Sequence, residues 1–243
     1  MKIRFLKLKI RISMKNLISI IIPVYNEEKT IERVIDKVIA QSDFNKEIII
    51  VNDNSTDATK SLIEQKYLNY VKLINNKINT GKGFCIKTGI NNSNGDIILI
   101  QDADLEYDPI NYKKILTPLI NDKADVVYGS RFLGDGEKRV LFFWHRVGNF
   151  ILTLLSNAFT NLNLTDMEVG YKAFKSGIIK NISLKENRFG FEPEVTAKIA
   201  KKKLRIFEVG ISYYGRTYAE GKKINWKDGF AAIYCILKYN LFR

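Results

Sequence analysis

Residues 96–106 read Asp96-Ile97-Ile98-Leu99-Ile100-Gln101-Asp102-Ala103-Asp104-Leu105-Glu106. Four consecutive apolar residues closed by an acidic cluster fit a short strand buried on both faces, as in a parallel sheet covered by helices. Leu17 to Ile22, Glu47 to Asn52, Tyr70 to Ile74 and Ala124 to Tyr128 repeat the apolar run on either side. Between them lie stretches with helical spacing that begin near Thr56, Gly83 and Pro109. After the first strand, Ile31, Val34, Ile35, Val38 and Ile39 form one apolar stripe, Asn26 is expected to cap that helix, and Glu27 and Glu28 suit its positive end. Strands alternating with helices predict an open, mostly parallel α/β sheet.

In such sheets ligands sit outside the carboxyl ends of the strands. Those positions are polar here: Pro23-Val24-Tyr25-Asn26-Glu27 follows the first strand, Asp53-Asn54-Ser55-Thr56-Asp57 the second, and Asp102 to Glu106 the fourth. Carboxylates gathered at one mouth repel and need a counter-charge, which Mg²⁺ or Mn²⁺ supplies through oxygen ligation. A lone Asp-x-Asp is more often a solvated turn. Its place directly after a buried strand favours metal.

Composition narrows the chemistry further. The chain has 243 residues, 46% of them hydrophobic, with two cysteines far apart and one histidine. Neither a disulfide framework nor a His- or Cys-based zinc site is indicated, and a reducing, cytosolic compartment is favoured. Lys and Arg outnumber Asp and Glu 39 to 26, a net charge of +13 that suits phosphates or an anionic membrane face. No nucleic-acid motif accompanies that charge, so nucleic-acid binding is not expected. His145 has no matched partner in the sequence and is left out of the chemistry.

Residues 1–16 are either a basic arm resting on membrane phosphates or a stretch upstream of a true start at Met14. Residues 17–243 are expected to form one domain. Its second part carries an apolar helix from Leu141 to Phe159, a segment around Asp166 to Phe174, a helix from Pro193, a strand from Leu204 to Val209, a Gly- and Lys-rich loop from Gly215 to Lys223, and a helix from Trp226 to Phe242. Asn149, Thr153, Ser156, Asn157 and their polar neighbours argue against a membrane span between Val147 and Thr165.

Five motifs in order give the chain a resemblance to family-2 inverting glycosyltransferases of the GT-A fold, especially the polyprenyl-phosphate (dolichyl-phosphate) mannosyl- and glucosyltransferase branch. They are Ile20 to Glu27, Val51 to Asp57, Asn79-Thr80-Gly81-Lys82-Gly83, Asp102 to Glu106 and Gly129-Ser130-Arg131. The resemblance runs from about Leu17 to the C-terminus. It implies a Rossmann-like, mostly parallel sheet flanked by helices, with a nucleotide-sugar-binding half at 17–130 and acceptor-side helices at 131–243.

By that resemblance, Pro23, Tyr25 and Glu27 line the nucleotide pocket, Asp53 accepts a hydrogen bond from the base, and Asp102 and Asp104 meet ribose and metal. Glu106 supplies a further metal contact, often Gln in the mannosyltransferases. The family commonly has Asp-Asp-Gly-Ser where this chain has Asn52-Asp53-Asn54-Ser55. Lys82 fits a cation that stabilises a departing diphosphate, although a plain turn before a helix explains it equally well. Inverting transfer needs a base or an ionised acceptor. Asp166 is the candidate base, with Glu168 its rival or a structural carboxylate. Arg131, Arg216, Lys222 and Lys223 are candidates for an acceptor phosphate, while the carboxylates of the Arg188 to Glu194 run have a lesser claim.

The expected activity is transfer of a hexosyl unit from GDP-mannose or a UDP-sugar to polyprenyl phosphate. The enzyme would be cytoplasmic and peripheral at the inner face of the cell membrane. Its attachment would come from Arg146, Lys227, Lys238, Arg243 and nearby aromatics, or from a membrane partner protein. A saccharide or lipid-linked glycan acceptor is the near alternative. A non-catalytic nucleotide-sugar-binding protein is the alternative of another class.

Overall fold

The computed structural model describes residues 16–134, 137–140, 142–217, 219–223 and 226–242. The expected basic arm and the start at Met14, as well as Leu141 and Arg243, lie outside the described residues, apart from Asn16. Seven strands form one sheet: β1 (Ile18–Val24), β2 (Lys46–Asn52), β3 (Lys72–Asn75), β4 (Ile97–Ile100), β5 (Val126–Ser130), β6 (Lys172–Lys175) and β7 (Ile206–Gly210). Their spatial order is β3-β2-β1-β4-β6-β5-β7. β1, β2, β3 and β4 are mutually parallel, β5 and β7 are parallel, and β6 runs antiparallel to both β4 and β5.

Helices α1 (Ile31–Ala40), α2 (Thr59–Lys66), α3 (Lys82–Asn91) and α4 (Tyr112–Ile120) cross between strands of the first half. All seven residues of β1 and all four of β4 are buried, as expected of strands covered on both faces. Of the α1 stripe, Ile31, Val34, Ile35 and Val38 are buried and Ile39 is partly so. Burying each such side chain contributes roughly 1.5–3 kcal/mol.

Two local expectations are corrected. Asn26 does not cap α1, which begins after Thr30; a left-handed turn at Asn26 (φ 49°) aims its side chain at the neighbouring loop instead. β6 lies in the segment around Asp166 to Phe174, which carried no strand pattern. Its Lys-Ala-Phe-Lys sequence lacks an apolar run, yet β6 fills the gap between β4 and β5 with Lys172 fully buried.

The second half adds α5 (Phe143–Thr160), the short α6 (Ser176–Ile179), α7 (Phe191–Ala200) and α8 (Trp226–Leu241), with α8 packed on both α5 and α7. Strand order reverses between β1 and β4. That reversal is the place where an α/β sheet opens a crevice at its carboxyl edge.

Candidate active site

Three loops meet over the reversal and are tied to each other by hydrogen bonds. The Asn26 N–H donates to Ser55 Oγ (3.0 Å), and the Thr56 N–H donates to Asn26 Oδ1 (2.8 Å). The Glu27 N–H donates to Thr59 Oγ1 (2.9 Å), while Thr30 Oγ1 lies 2.9 Å from Glu27 Oε2 and 2.8 Å from the Ala103 carbonyl. The loops after β1, β2 and β4 therefore act as one frame. Pro23 is buried within β1, and Tyr25 is the side chain of that stretch that projects into solvent.

Asp53 is buried and closes the following loop. It accepts from Asn76 Nδ2 (2.8 Å), from the Thr80 N–H (3.1 Å to each oxygen) and from the Gly81 N–H (2.7 Å). A base would thus meet a carboxylate already fixed in place. Gly81 has φ +112°, and a Cβ there would lie 2.6 Å from the Asn187 carbonyl; at Gly83 it would lie 2.5 Å from the Glu186 carbonyl. The glycines flanking Lys82 let the 186–188 segment run directly across the start of α3.

Lys82, the first residue of α3, reaches the acidic loop: its Nζ lies 2.8 Å from Asp102 Oδ1 and 3.3 Å from Glu192 Oε1 on α7. Burial pulls the Lys82 ammonium down, but Asp102 and Glu192 more than reverse this and hold it above its ordinary value. Gly170 closes the other side, since a Cβ there would sit 2.3 Å from Asp102 Oδ2 and 2.9 Å from Lys82 Nζ.

Leu105 takes a left-handed conformation (φ 64°), the sort of backbone strain that gathers at functional sites. Across this turn lie Asp104 and Glu106. Burial, then Asp102 and Glu106, push the Asp104 carboxyl up to about 7 against the opposing pull of Arg216. Arg216 lies among these carboxylates. Its Nη1 is 3.0 Å from Glu27 Oε2, its Nη2 is 3.1 Å from Asp104 Oδ2, and its backbone N–H donates to Glu106 Oε1 (2.7 Å). Lys223 adds a second cation at Glu27 (2.7 Å), and Tyr213 donates to Glu106 Oε2 (3.0 Å). Among the described residues no three His, Cys, Asp or Glu side chains are gathered as a ready-made metal cage. The donor chemistry still fits a hard divalent cation, because carboxylate oxygens on the same turn already hold a positive group.

Arg131 and Asp166 depart from expectation. Asp166 is fully buried, and Arg131 grips it with Nε on Oδ2 and Nη2 on Oδ1, both at 2.7 Å, while Asn149 Nδ2 adds a contact at 3.2 Å. That geometry makes Asp166 an anchor for Arg131 rather than a base open to an acceptor. It also commits Arg131 internally. Three of the four cations expected at one acceptor phosphate have separate partners, while Lys223 shares Glu27 with Arg216: Arg131 has Asp166, Arg216 has the acidic loop, and Lys222 Nζ lies 2.9 Å from His145 Nδ1.

Glu168 is placed differently from Asp166. Its Oε1 is buried without a hydrogen-bond partner, and burial, followed by the nearby Glu192 charge, pushes the carboxyl up to about 8. Lys172 caps the turn that carries it, donating to the Met167 carbonyl (3.0 Å) and to that of Val169. Lys172 was not singled out by sequence, and Glu192 was named only among the carboxylates of the Arg188 to Glu194 run. Glu192 becomes meaningful only where α7 meets Lys82. Glu194 is structural, accepting from the Lys185 and Glu186 N–H groups (2.7 and 2.8 Å).

A carboxylate-lined mouth at the reversal point of this sheet is the arrangement of a nucleotide-sugar-type α/β transferase. The backbone superimposes with a TM-score of 0.74 on glucosyl-3-phosphoglycerate synthase from Mycobacterium tuberculosis, at 19% identity, covering 93% of this chain and 80% of that one. Structures of that enzyme include complexes with Mn²⁺ or Mg²⁺ and uridine diphosphate. The fold is GT-A.

Residues 19–183 match the model of glycosyl transferase family 2, and the chain belongs to that family. It is 31% identical over 240 residues to the UDP-N-acetylglucosamine–dolichyl-phosphate N-acetylglucosaminyltransferase of Methanococcus voltae, covering 91% of this chain and 95% of that protein. It is 26% identical over 221 residues to the dolichol-phosphate mannosyltransferase of Pyrococcus furiosus, covering 85% of this chain and 60% of that protein.

Proposed function

We propose that this glycosyltransferase moves a hexosyl unit, with inversion, from GDP-mannose or a UDP-sugar to polyprenyl phosphate at the cytoplasmic face of the membrane. The observation that carries the reading is the clamp of Lys82 between Asp102 and Glu192, beside Asp104 and Glu106. It offers a fixed cation and several carboxylates where a sugar diphosphate would lie. Mg²⁺ or Mn²⁺ held by Asp102, Asp104 and Glu106 would neutralise charge on the diphosphate as the sugar leaves. Lys82, held protonated by its two carboxylate partners, would add a fixed positive charge for the same developing negative charge. Tyr25 and Asp53 border the space for the base, and Glu27 ties the loop after β1 to the acidic loop.

A lipid phosphate suits the acceptor side. It is already anionic near neutral pH, so attack requires no strong base, in keeping with Asp166 being locked to Arg131. The relatives named for dolichyl phosphate favour the same acceptor class. No helix of the described residues is long and apolar enough to cross a membrane. Membrane contact is assigned to the exposed aromatics of α5 and α8: both tryptophans of the chain, Trp144 (76% exposed) and Trp226 (72%), lie there among Arg146, Lys227 and Lys238. One specific observation favours a hydroxyl-bearing glycan acceptor instead. Glu168, with its Oε1 free of hydrogen bonds and its proton affinity raised by burial, would in its ionised form take the proton that a hydroxyl nucleophile gives up.

Incubation with labelled nucleotide sugars, polyprenyl phosphate and Mg²⁺ tests the reading. Label extracted into the organic phase as a lipid-linked sugar is the expected result. Label recovered on a glycan supports the second acceptor, and tight nucleotide-sugar binding without turnover on any acceptor ends the enzymatic reading.

A further inference from the structure

We infer that Arg216 and the divalent cation compete for the same carboxylates, so that Tyr213, Arg216 and Lys223 form a counter-ion latch which the metal must open. The inference rests on the proposed function, since it presumes that Asp104 and Glu106 receive the metal. Its own evidence is the set of contacts that Arg216 makes. The guanidinium bridges Glu27 and Asp104, its Nε lies 3.9 Å from Glu106 Oε1, and its backbone N–H holds that same Glu106 oxygen. These partners lie 189, 112 and 110 residues away in sequence, so the contact is made by the folded loop and not by neighbouring chain.

The latch is bound by charge more than by packing. Arg216 Nε is buried without a hydrogen-bond acceptor, so the guanidinium leaves one donor unsatisfied in this position. A buried donor without a partner weakens the arrangement that imposes it. Lys223 reinforces the loop at Glu27, and Tyr213 at Glu106, so three loop residues converge on two glutamates. A divalent ion brings twice the charge to the carboxylates of Asp104 and Glu106, and its repulsion of the guanidinium opposes Arg216 remaining beside them. Once displaced, Arg216 carries its charge to the rim of the same mouth, where a diphosphate would meet it bidentately. The loop therefore couples metal entry to the arrival of a cation for the donor phosphates.

The test is Mn²⁺ titration by calorimetry without nucleotide, on the full chain and on Arg216→Gln and Arg216→Lys. The latch predicts at least tenfold tighter Mn²⁺ binding by Arg216→Gln and an intermediate value for Arg216→Lys. A second readout uses the wild-type protein alone: Mn²⁺ should speed tryptic cleavage after Arg216, identified by peptide mass. Equal or weaker Mn²⁺ binding by Arg216→Gln, or cleavage unchanged or slowed by Mn²⁺, overturns the latch and leaves the metal reading standing. No Mn²⁺ binding by any of the three proteins overturns both.

Discussion

Arg131 and Asp166 form a two-pronged ion pair, Nε to Oδ2 and Nη2 to Oδ1 at 2.7 Å each, around a carboxylate with no solvent exposure. Removing one member of a buried pair leaves the other charged and uncompensated, at a cost of about 3–5 kcal/mol. Asp166→Ala is therefore expected to lower the denaturation midpoint sharply, read by urea unfolding. A catalytic base would behave otherwise, with turnover lost and the midpoint unmoved.

Gly170 gives a cleaner probe of the donor side, because the Cβ of Gly170→Ala would lie 2.3 Å from Asp102 Oδ2 and 2.9 Å from Lys82 Nζ. Either group must move. Nucleotide-sugar affinity is expected to fall by about tenfold or more, each factor of ten being about 1.4 kcal/mol. Gly177→Ala, which meets nothing within 4 Å, should leave affinity unchanged. Equal affinities in the two variants, measured by titration of the same nucleotide sugar, would remove the Lys82 and Asp102 clamp from donor binding.

The sequence made the sheet legible where strands are buried on both faces, since β1, β2 and β4 show as apolar runs ending in polar clusters. It hid β6, whose Lys172 is buried against the Tyr128 ring and backbone carbonyls and so contributes no apolar signal. The acidic loop after β4 could be read as a site from its position alone. Its ion-pair partners could not, because Arg216 and, through Lys82, Glu192 reach it from distant segments that no local pattern links to it. Asp166 shows the converse: its motif draws attention to a carboxylate, but no local pattern announces Arg131 as its partner.

Asp104 is the carboxylate whose loss should most reduce turnover while sparing the fold, since it lies part-buried in the loop after β4 and not in the hydrophobic core. Asp104→Ala is expected to lower kcat by about 10²–10³ or more, the scale of removing one preorganised charge-stabilising group. Chelation of divalent cations should produce the same loss in the wild type, reversed by adding Mn²⁺. Full turnover in the presence of a chelator would show that the carboxylates serve another purpose.

Glu168 makes a prediction about stability. Burial, then the Glu192 charge, raises its carboxyl from the ordinary 4.5 to about 8. Between those values the folded chain holds a proton there that the unfolded chain has released, so this group's contribution is complete below about pH 4.5 and is lost as pH climbs to 8. Lys172, drawn down to about 8 by burial, exchanges its proton on folding only above that pH and does not enter the window. Glu168→Gln removes the titration but keeps the shape. Its melting temperature should therefore rise relative to wild type as pH goes from 5 to 8, by roughly 2–4 °C for each kcal/mol released. A difference that stays flat across the window, followed by calorimetric melts at each pH, would mean that Glu168 is ionised in the folded protein as in the unfolded one and has no raised proton affinity.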